Sequence, residues 1–162
     1  MVRLRFVADG MLGKLARWLR MLGYDVKYFN SLDDEELIEV AGSEERILLT
    51  RDVGLYQRAS IKGVQAFLIE GKTEYEKLAE LAKRYSLSLE VDTSNSRCPK
   101  CNSNIRPVQK EAVLEKIPKS TSKFYDEFWE CPNCGKIYWQ GSHWKRISRT
   151  LNRAAEILEN KQ

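Results

Sequence analysis

Two sets of residues in this chain have the types and spacing to do chemistry. The first is four cysteines in two Cys-x-x-Cys pairs, Cys98-Pro-Lys-Cys101 and Cys131-Pro-Asn-Cys134, with no other cysteine among the 162 residues. Two such pairs can set four thiolates tetrahedrally around one ion, a geometry zinc accepts without strain. With four protein ligands no position is left for substrate, so the expected role is structural. Disulfides would need an oxidising compartment, and a redox dithiol ordinarily uses one pair rather than two. The second set is acidic: Asp9, Asp33, Asp34 and Asp52, each placed just after a short apolar run, with Thr50 two residues before Asp52. Carboxylates that converge repel one another and raise each other's proton affinity unless a cation neutralises them. A hard, oxygen-preferring ion such as Mg²⁺ or Mn²⁺ suits such a set. Each aspartate could instead be a plain helix N-cap, the commonest use of Asp at such a position. Thr50 could be an ordinary strand-end residue, or could orient Asp52 or a bound water.

The elements that would position these residues follow from hydrophobic spacing. Leu4 to Ala8 reads as a strand. Leu12 to Leu22 reads as a helix, because Leu12, Leu15, Ala16, Leu19 and Leu22 recur at helical spacing, and Gly23 stops it. Asp25 to Phe29 is a second strand. Ser31 to Ala41 is a helix entered through Ser31 or Asp33. Arg46 to Thr50, Val53 to Ser60, Val64 to Ile69 and Glu74 to Tyr85 continue the alternation as strand, helix, strand and helix. Leu87 to Val91 adds a last strand or leads into the cysteine module. This order predicts an α/β fold with a mostly parallel sheet flanked by helices on both faces. In such sheets, active groups gather at the carboxyl ends of the strands. Asp9, Asp33 or Asp34, and Asp52 all fall at that edge.

Other phosphate-handling motifs fail on particular residues. Gly10 to Leu15 has the glycines of a Walker loop's end, but Leu15 stands where a magnesium-binding Ser or Thr belongs and Ala8 where the first glycine belongs. There is no G-x-G-x-x-G loop. Met11 occupies the place of the second aspartate of an aspartyl-phosphate phosphatase.

The net charge of +4 is uneven: residues 1–90 carry −1 and residues 91–162 carry +5. Four thiolates and one Zn²⁺ would remove about two units from the second half and leave it basic. A near-neutral half joined to a basic half favours an anionic partner such as nucleic acid. No apolar run approaches a membrane span. Only Met1 to Arg5 stand before the first strand's apolar residues, without a secretory signal, so the expected location is the cytoplasm. Oligomeric state is not legible.

At this point the residues resemble a family. Phe6-Val7-Ala8-Asp9-Gly10-Met11-Leu12-Gly13-Lys14-Leu15-Ala16-Arg17-Trp18-Leu19-Arg20-Met21-Leu22-Gly23-Tyr24-Asp25 is similar to the opening of the Mut-seven C-terminal RNase domain family, which joins a PIN-like nuclease fold to a zinc ribbon. Asp33-Asp34-Glu35-Glu36-Leu37, Leu48-Leu49-Thr50-Arg51-Asp52 and Tyr138-Trp139-Gln140-Gly141-Ser142-His143-Trp144 match in order, from about Arg5 to Arg149. The resemblance implies a PIN-like domain over residues 1–90, a zinc ribbon over 91–142, and an amphipathic helix over 143–162 packing on the body. It implies a metal-dependent ribonuclease with Asp9, Asp34 and Asp52 at the acidic metal positions. Asp34 is preferred over Asp33 because it stands three residues before an inward aliphatic, as the family's pattern does. One departure stands out: many PIN nucleases carry another Asp shortly after the third acid, and here Val53, Gly54, Leu55 and Tyr56 offer none.

Divalent ions held there would activate water and stabilise the departing 3′-oxygen of a phosphodiester. Lys14, Arg17 and Arg51 are placed to meet phosphates near that edge, or else form a solvated face. Trp18 is a base-stacking or packing residue. Between the cysteine pairs, Lys110, Lys116, Lys119 and Lys123 mix with Phe124, Tyr125, Phe128 and Trp129. That mixture suits single-stranded nucleic acid, although Phe128 and Trp129 read better as cover for the zinc site. The segment is poor in core-formers and is expected to depend on metal for its shape. His143, the one histidine, is a candidate for contact with phosphate or the acidic site, or a packing residue. Trp144, Ile147, Leu151, Ala154 and Leu158 form an inward helical stripe, and Lys145, Arg149 and Arg153 a basic one able to track a phosphate backbone. The reading favoured is a ribonuclease acting on RNA. Its alternative is a non-catalytic RNA-binding or interaction adaptor with a vestigial acidic site.

Overall fold

Strand order decides where the site lies. In the computed structural model, which describes residues 4–160, four parallel strands are arranged β2-β1-β3-β4. They are β1 Arg5–Ala8, β2 Asp25–Tyr28, β3 Ile47–Thr50 and β4 Ala66–Leu68. Between and after them run helices α1 Gly13–Met21, α2 Asp34–Ser43, α3 Val53–Ile61 and α4 Glu74–Tyr85. The chain builds outward from β1 to β2, then crosses back to lay β3 on the other side. The switch in direction therefore falls between β1 and β3, where α/β sheets open a crevice at the carboxyl ends.

Side chains alternate between the two faces of a strand. Phe6, Ala8, Ile47 and Leu49 therefore enter one apolar cluster, with Leu15 and Leu19 of α1 and Leu78 and Leu81 of α4. Val7 and Leu48 enter a second cluster, with Leu37 and Ile38 of α2 and Leu55 of α3. Burial on both faces explains why β1 and β3 read as continuous apolar runs rather than alternating ones. Helix starts are fixed by side-chain caps: Asp33 accepts from Glu36 N, Asp52 from Leu55 N and Thr73 from Glu76 N. Asp33 is therefore the entry to α2, and the helix begins three residues later than Ser31. Gly23 ends α1 at φ +100°, and its hydrogen lets the Asn95 carbonyl approach to 3.1 Å of where a Cβ would stand. A side chain here would be strained twice over.

Residues 87–91 form no strand. Leu87 is buried and Leu89 and Val91 lie against the first cluster, so the segment is a strap leading to the cysteines. The cysteine module has an antiparallel sheet, β5 Arg106–Val108, β6 Phe128–Glu130 and β7 Ile137–Tyr138. The insert between the cysteine pairs is more ordered than its composition suggests. It holds α5 Lys110–Val113, a 3-10 turn Leu114–Lys116 and α6 Lys119–Phe124. Val113 and Ile117 meet Phe128 and Ile137 in a small core of their own. Four well-placed side chains, rather than a general apolar content, supply that core. Phe128 and Trp129 are both buried, as cover rather than as exposed stacking rings, whereas Phe124 is 78% exposed.

Helix α7, Trp144–Asn160, returns to the first domain. Its Leu151 and Ala154 are buried in the first cluster, with Ile147 and Leu158 packed beside them. Arg153, from the basic stripe, is committed to the ring of Tyr75, 4.8 Å from its centroid. No helix among the described residues is long and apolar enough to cross a membrane.

The cysteine module docks on the exposed edge of β2. Asn102, at φ +73°, accepts from Val26 N at 3.0 Å and donates to Asp25 Oδ1 at 2.7 Å. It thereby pairs an edge strand that would otherwise be open. Arg20, buried in α1, donates to the Val26 and Pro99 carbonyls. Arg46 meets Asp25 and Glu44, each at 2.8 Å, with a side chain only 5% exposed. Burial disfavours the Asp25 charge, but hydrogen bonds from Arg46 and Asn102 and the Arg46 charge outweigh it. The carboxyl is held below its ordinary value of 3.8. A depressed folded value means that the stabilisation is fully present above the unfolded value and is lost as pH falls through the folded one. Asp25→Asn should cost about 2–3 kcal/mol at pH 7, less than a fully orphaned buried charge because Glu44 still faces Arg46. Urea melts at pH 7 and at pH 3 check this: the gap between wild type and variant should narrow in acid.

Candidate active site and thiolate cluster

Asp9 leaves the end of β1 and is only 7% exposed. One carboxylate oxygen accepts from Met11 N at 2.9 Å, and the other accepts the Thr50 hydroxyl. Thr50 is fully buried at the end of β3, and its oxygen also accepts from Asp52 N at 3.0 Å. A single hydroxyl thus ties the two strand ends that flank the switch point. Among the described residues, no Lys or Arg forms an ion pair with Asp9 or Asp52. A buried carboxylate without a cationic partner is costly in a protein interior, and a bound cation removes that cost. Asp52 is exposed, with one oxygen engaged in capping α3.

Asp34 is placed differently. It opens α2 and is half-exposed, and Arg58 of α3 donates to its carboxylate. Arg58 also meets Glu35, as does Lys62. Asp33 is spent on its cap. Among the described residues, the four cysteines are the one group of three or more potential ligand side chains whose donor atoms all lie within 4.8 Å of one another. Asp9, Asp34 and Asp52 do not converge that closely with Asp34 held by Arg58. Sequence reading could place all three at one edge, but Arg58, twenty-four residues beyond Asp34, gave no signal of its own.

The expected cations scatter. Lys14 and Arg17 are exposed on α1. The Arg51 guanidinium donates to the Gly71 carbonyl, so it braces the loop before α4. His143 and Arg149 line a hollow at the start of α7 with Lys145 and Arg146, and none of the candidate acidic residues lines it. Trp18 packs against the first apolar cluster. Lys100 and Lys136, from the two cysteine turns, join Arg17 around another hollow, a grouping the sequence did not suggest.

The thiolates are ready for a metal. Cys98 and Cys134 sulfurs lie 3.7 Å apart, Cys101 and Cys131 3.4 Å apart. Zn–S bonds of about 2.3 Å in a tetrahedron put sulfurs roughly 3.8 Å apart, so the donor set fits. Both turns share one geometry. Asn102 N donates to the Cys98 carbonyl and Gly135 N to the Cys131 carbonyl, each at 2.8 Å, and Asn102 and Gly135 both have positive φ. Tyr138 OH at 2.9 Å from Cys98, Cys134 N at 3.4 Å from Cys131 and Asn133 at 3.5 Å from Cys101 can donate to thiolates. Without metal the thiols are unequal. Burial pushes Cys131 up to about 12. Burial also works against the Cys101 thiolate, but hydrogen bonds from Asn133 and Ser103 outweigh it and bring that thiol down to about 6. Loading a metal therefore expels protons and weakens as pH falls.

Comparison with known proteins can now be set against this geometry. The Mut7-C RNase domain matches residues 4–151. The chain belongs to that family. The match takes in the parallel sheet, the acidic strand ends, the four cysteines and the first half of α7. No curated protein and no solved structure matches. Membership in an RNase domain family points to nuclease activity with RNA as the substrate class. For this Mut7-C chain, the four close cysteines could bind a metal such as zinc.

Proposed function

We propose that this Mut7-C domain is a metal-dependent ribonuclease that cleaves RNA phosphodiesters at the switch point between β1 and β3, with a zinc ribbon as its docking module. The observation that carries the reading is the Asp9–Thr50–Asp52 arrangement: a buried carboxylate, without an ion-pair partner among the described residues, bridged through one hydroxyl to the neighbouring strand end. Asp9 and Asp52 are the residues that would hold Mg²⁺ or Mn²⁺ there. Such an ion, when bound, would supply Lewis-acid stabilisation of phosphoryl charge and make an attacking water easier to deprotonate. The chain's own residues do the rest. Thr50 fixes the Asp9 carboxylate plane by donating to one oxygen, while Met11 N holds the other. The buried threonine excludes water from beneath the site. Lys14 and Arg17, exposed on the helix that follows Asp9, draw phosphates toward the edge. The cysteines hold Zn²⁺ and, through Asn102 and Pro99, brace β2 and α1.

Asp34 completes the site only by leaving Arg58. That ion pair is exposed, and exposed pairs are worth about 0.2–1 kcal/mol, so its release costs no more than about fivefold in metal affinity. Arg58→Ala should therefore strengthen Mn²⁺ binding by up to about fivefold, as read by calorimetric titration of the zinc-loaded protein. Unchanged affinity would remove Asp34 from the ligand set. The reading as a whole is tested by incubating zinc-loaded protein with labelled single-stranded RNA: cleavage should need added Mn²⁺ or Mg²⁺.

A further inference from the structure

Neighbouring hollows lie along the start of α1, the cysteine turns and the start of α7. The first hollow, about 360 Å³, begins at Gly13, which opens α1 one turn after Asp9, and is flanked by Arg17, Lys100 and Lys136. The second, about 270 Å³, lies between the ribbon and α7 and is lined by Trp129, Trp139 and Trp144, with His143 at its margin. The two share Pro99, Lys136 and Tyr138, so they are neighbours along the ribbon surface. A third hollow, about 300 Å³, shares His143 with the second and carries Lys145, Arg146 and Arg149. No Asp or Glu lines any of the three. Their occupant must meet the cations of the first and third hollows and present flat apolar surface to the second, whose charged lining residues are Arg97 and Lys136.

We propose that single-stranded RNA runs along these hollows as one groove, with phosphates against Arg17, Lys100 and Lys136 and one base lodged in the tryptophan pocket. The inference rests on the ribonuclease reading for its direction, since the first hollow includes Gly13, four residues after Asp9 at the start of α1. Charge complementarity selects a polyanion, and aromatic walls select an unpaired base, which stacks on indoles without sequence preference. The pocket is small against the roughly 300–1,000 Å³ of sites for drug-sized ligands, as a site for one ring system should be. Its wall is held in place. Trp139 rests on Phe128, ring centroids 6.1 Å apart, and a Cβ on Gly141 would stand 2.9 Å from the Trp139 indole nitrogen. Glycine at 141 is what lets that indole lie where it does. The groove joins the ribbon to catalysis: the zinc site places Lys100 and Lys136, one on each cysteine turn, along the path of the strand.

The test is binding of a fluorescent oligouridylate to zinc-loaded protein without Mg²⁺ or Mn²⁺, so that no cleavage is needed. Trp144→Ala should weaken binding by about fivefold or more, the range for loss of one stacked base, and Trp144→Phe should restore most of it. Lys100→Glu and Lys136→Glu, both exposed, should each weaken binding and lower the salt slope by roughly 0.7. Lys83→Glu on α4, outside the groove, should do neither. Equal affinity across the groove variants would overturn the proposal, and the pocket would then belong to a protein segment. Wild type that binds through the groove but does not cleave RNA with added Mn²⁺ or Mg²⁺ refutes the ribonuclease reading alone. Cleavage by wild type with groove-independent binding refutes the groove alone.

Discussion

Asp9→Asn should lower metal-supported RNA cleavage by at least about a hundredfold while leaving the fold and the zinc content unchanged. The size follows from what Asp9 offers. It is a buried carboxylate without an ion-pair partner among the described residues, and Asn removes the charge that would hold Mg²⁺ or Mn²⁺ without removing much volume. Changes to groups that merely orient a metal ligand typically cost 10–100-fold, and losing the ligand itself should cost more. The fold survives because an amide still bridges Thr50 and Met11 with at most one hydrogen bond mismatched, worth about 1 kcal/mol. Thr50→Val separates orientation from ligation. It leaves the Asp9 charge but removes its link to Asp52 N, and a loss of roughly ten- to a hundredfold is expected. Single-turnover cleavage of labelled RNA at saturating Mn²⁺, beside thermal melts of each variant, checks both.

Cys131→Ser should abolish tight zinc binding and release the ribbon from the first domain. Cys131 is completely buried, and burial raises its thiol above the ordinary value. Structural zinc contributes about 10–16 kcal/mol to the folding of small modules. The ribbon has little to replace it. Val113, Ile117, Phe128 and Ile137, at about 1.5–3 kcal/mol each, cannot offset ordering a segment this long at about 1–2 kcal/mol per residue. The first domain keeps its two clusters, because they are built from β1 to α4 with α7. Hydrogen exchange should therefore show protection lost over residues 96–140 and retained in β1 and β3. Protection retained throughout would mean that the thiolates are not structural.

Much of this arrangement was legible in the chain because it rests on local signals. Helical spacing in α1, the caps at Asp33 and Asp52, and continuous apolar runs in β1 and β3 each report an environment set within a few residues. The cysteine spacing was legible because ligand geometry constrains it. What stayed hidden involves partners far apart in sequence. Arg58 reaches Asp34, Asn102 of the ribbon pairs with β2 and with the Asp25 carboxylate, and Arg46 reaches Asp25. No periodicity records which residue across the fold a side chain will meet. The elements of the insert between the cysteine pairs, which was expected to depend on metal for its shape, were hidden for a related reason. Its average composition is polar, yet Val113 and Ile117 fall where a small core needs them. Arg51 stood in a motif that pointed to phosphate, and instead it donates to the Gly71 carbonyl.

Whether the strand ends of β1 and β3 share a divalent ion is answered most directly by Mn²⁺ paramagnetic resonance on the zinc-loaded protein. The free Mn²⁺ signal should fall with a saturable site in wild type, and that site should disappear in Asp9→Asn at unchanged zinc content. Binding that survives the substitution intact, or no binding by wild type at millimolar Mn²⁺, would contradict a metal-dependent active site at Asp9.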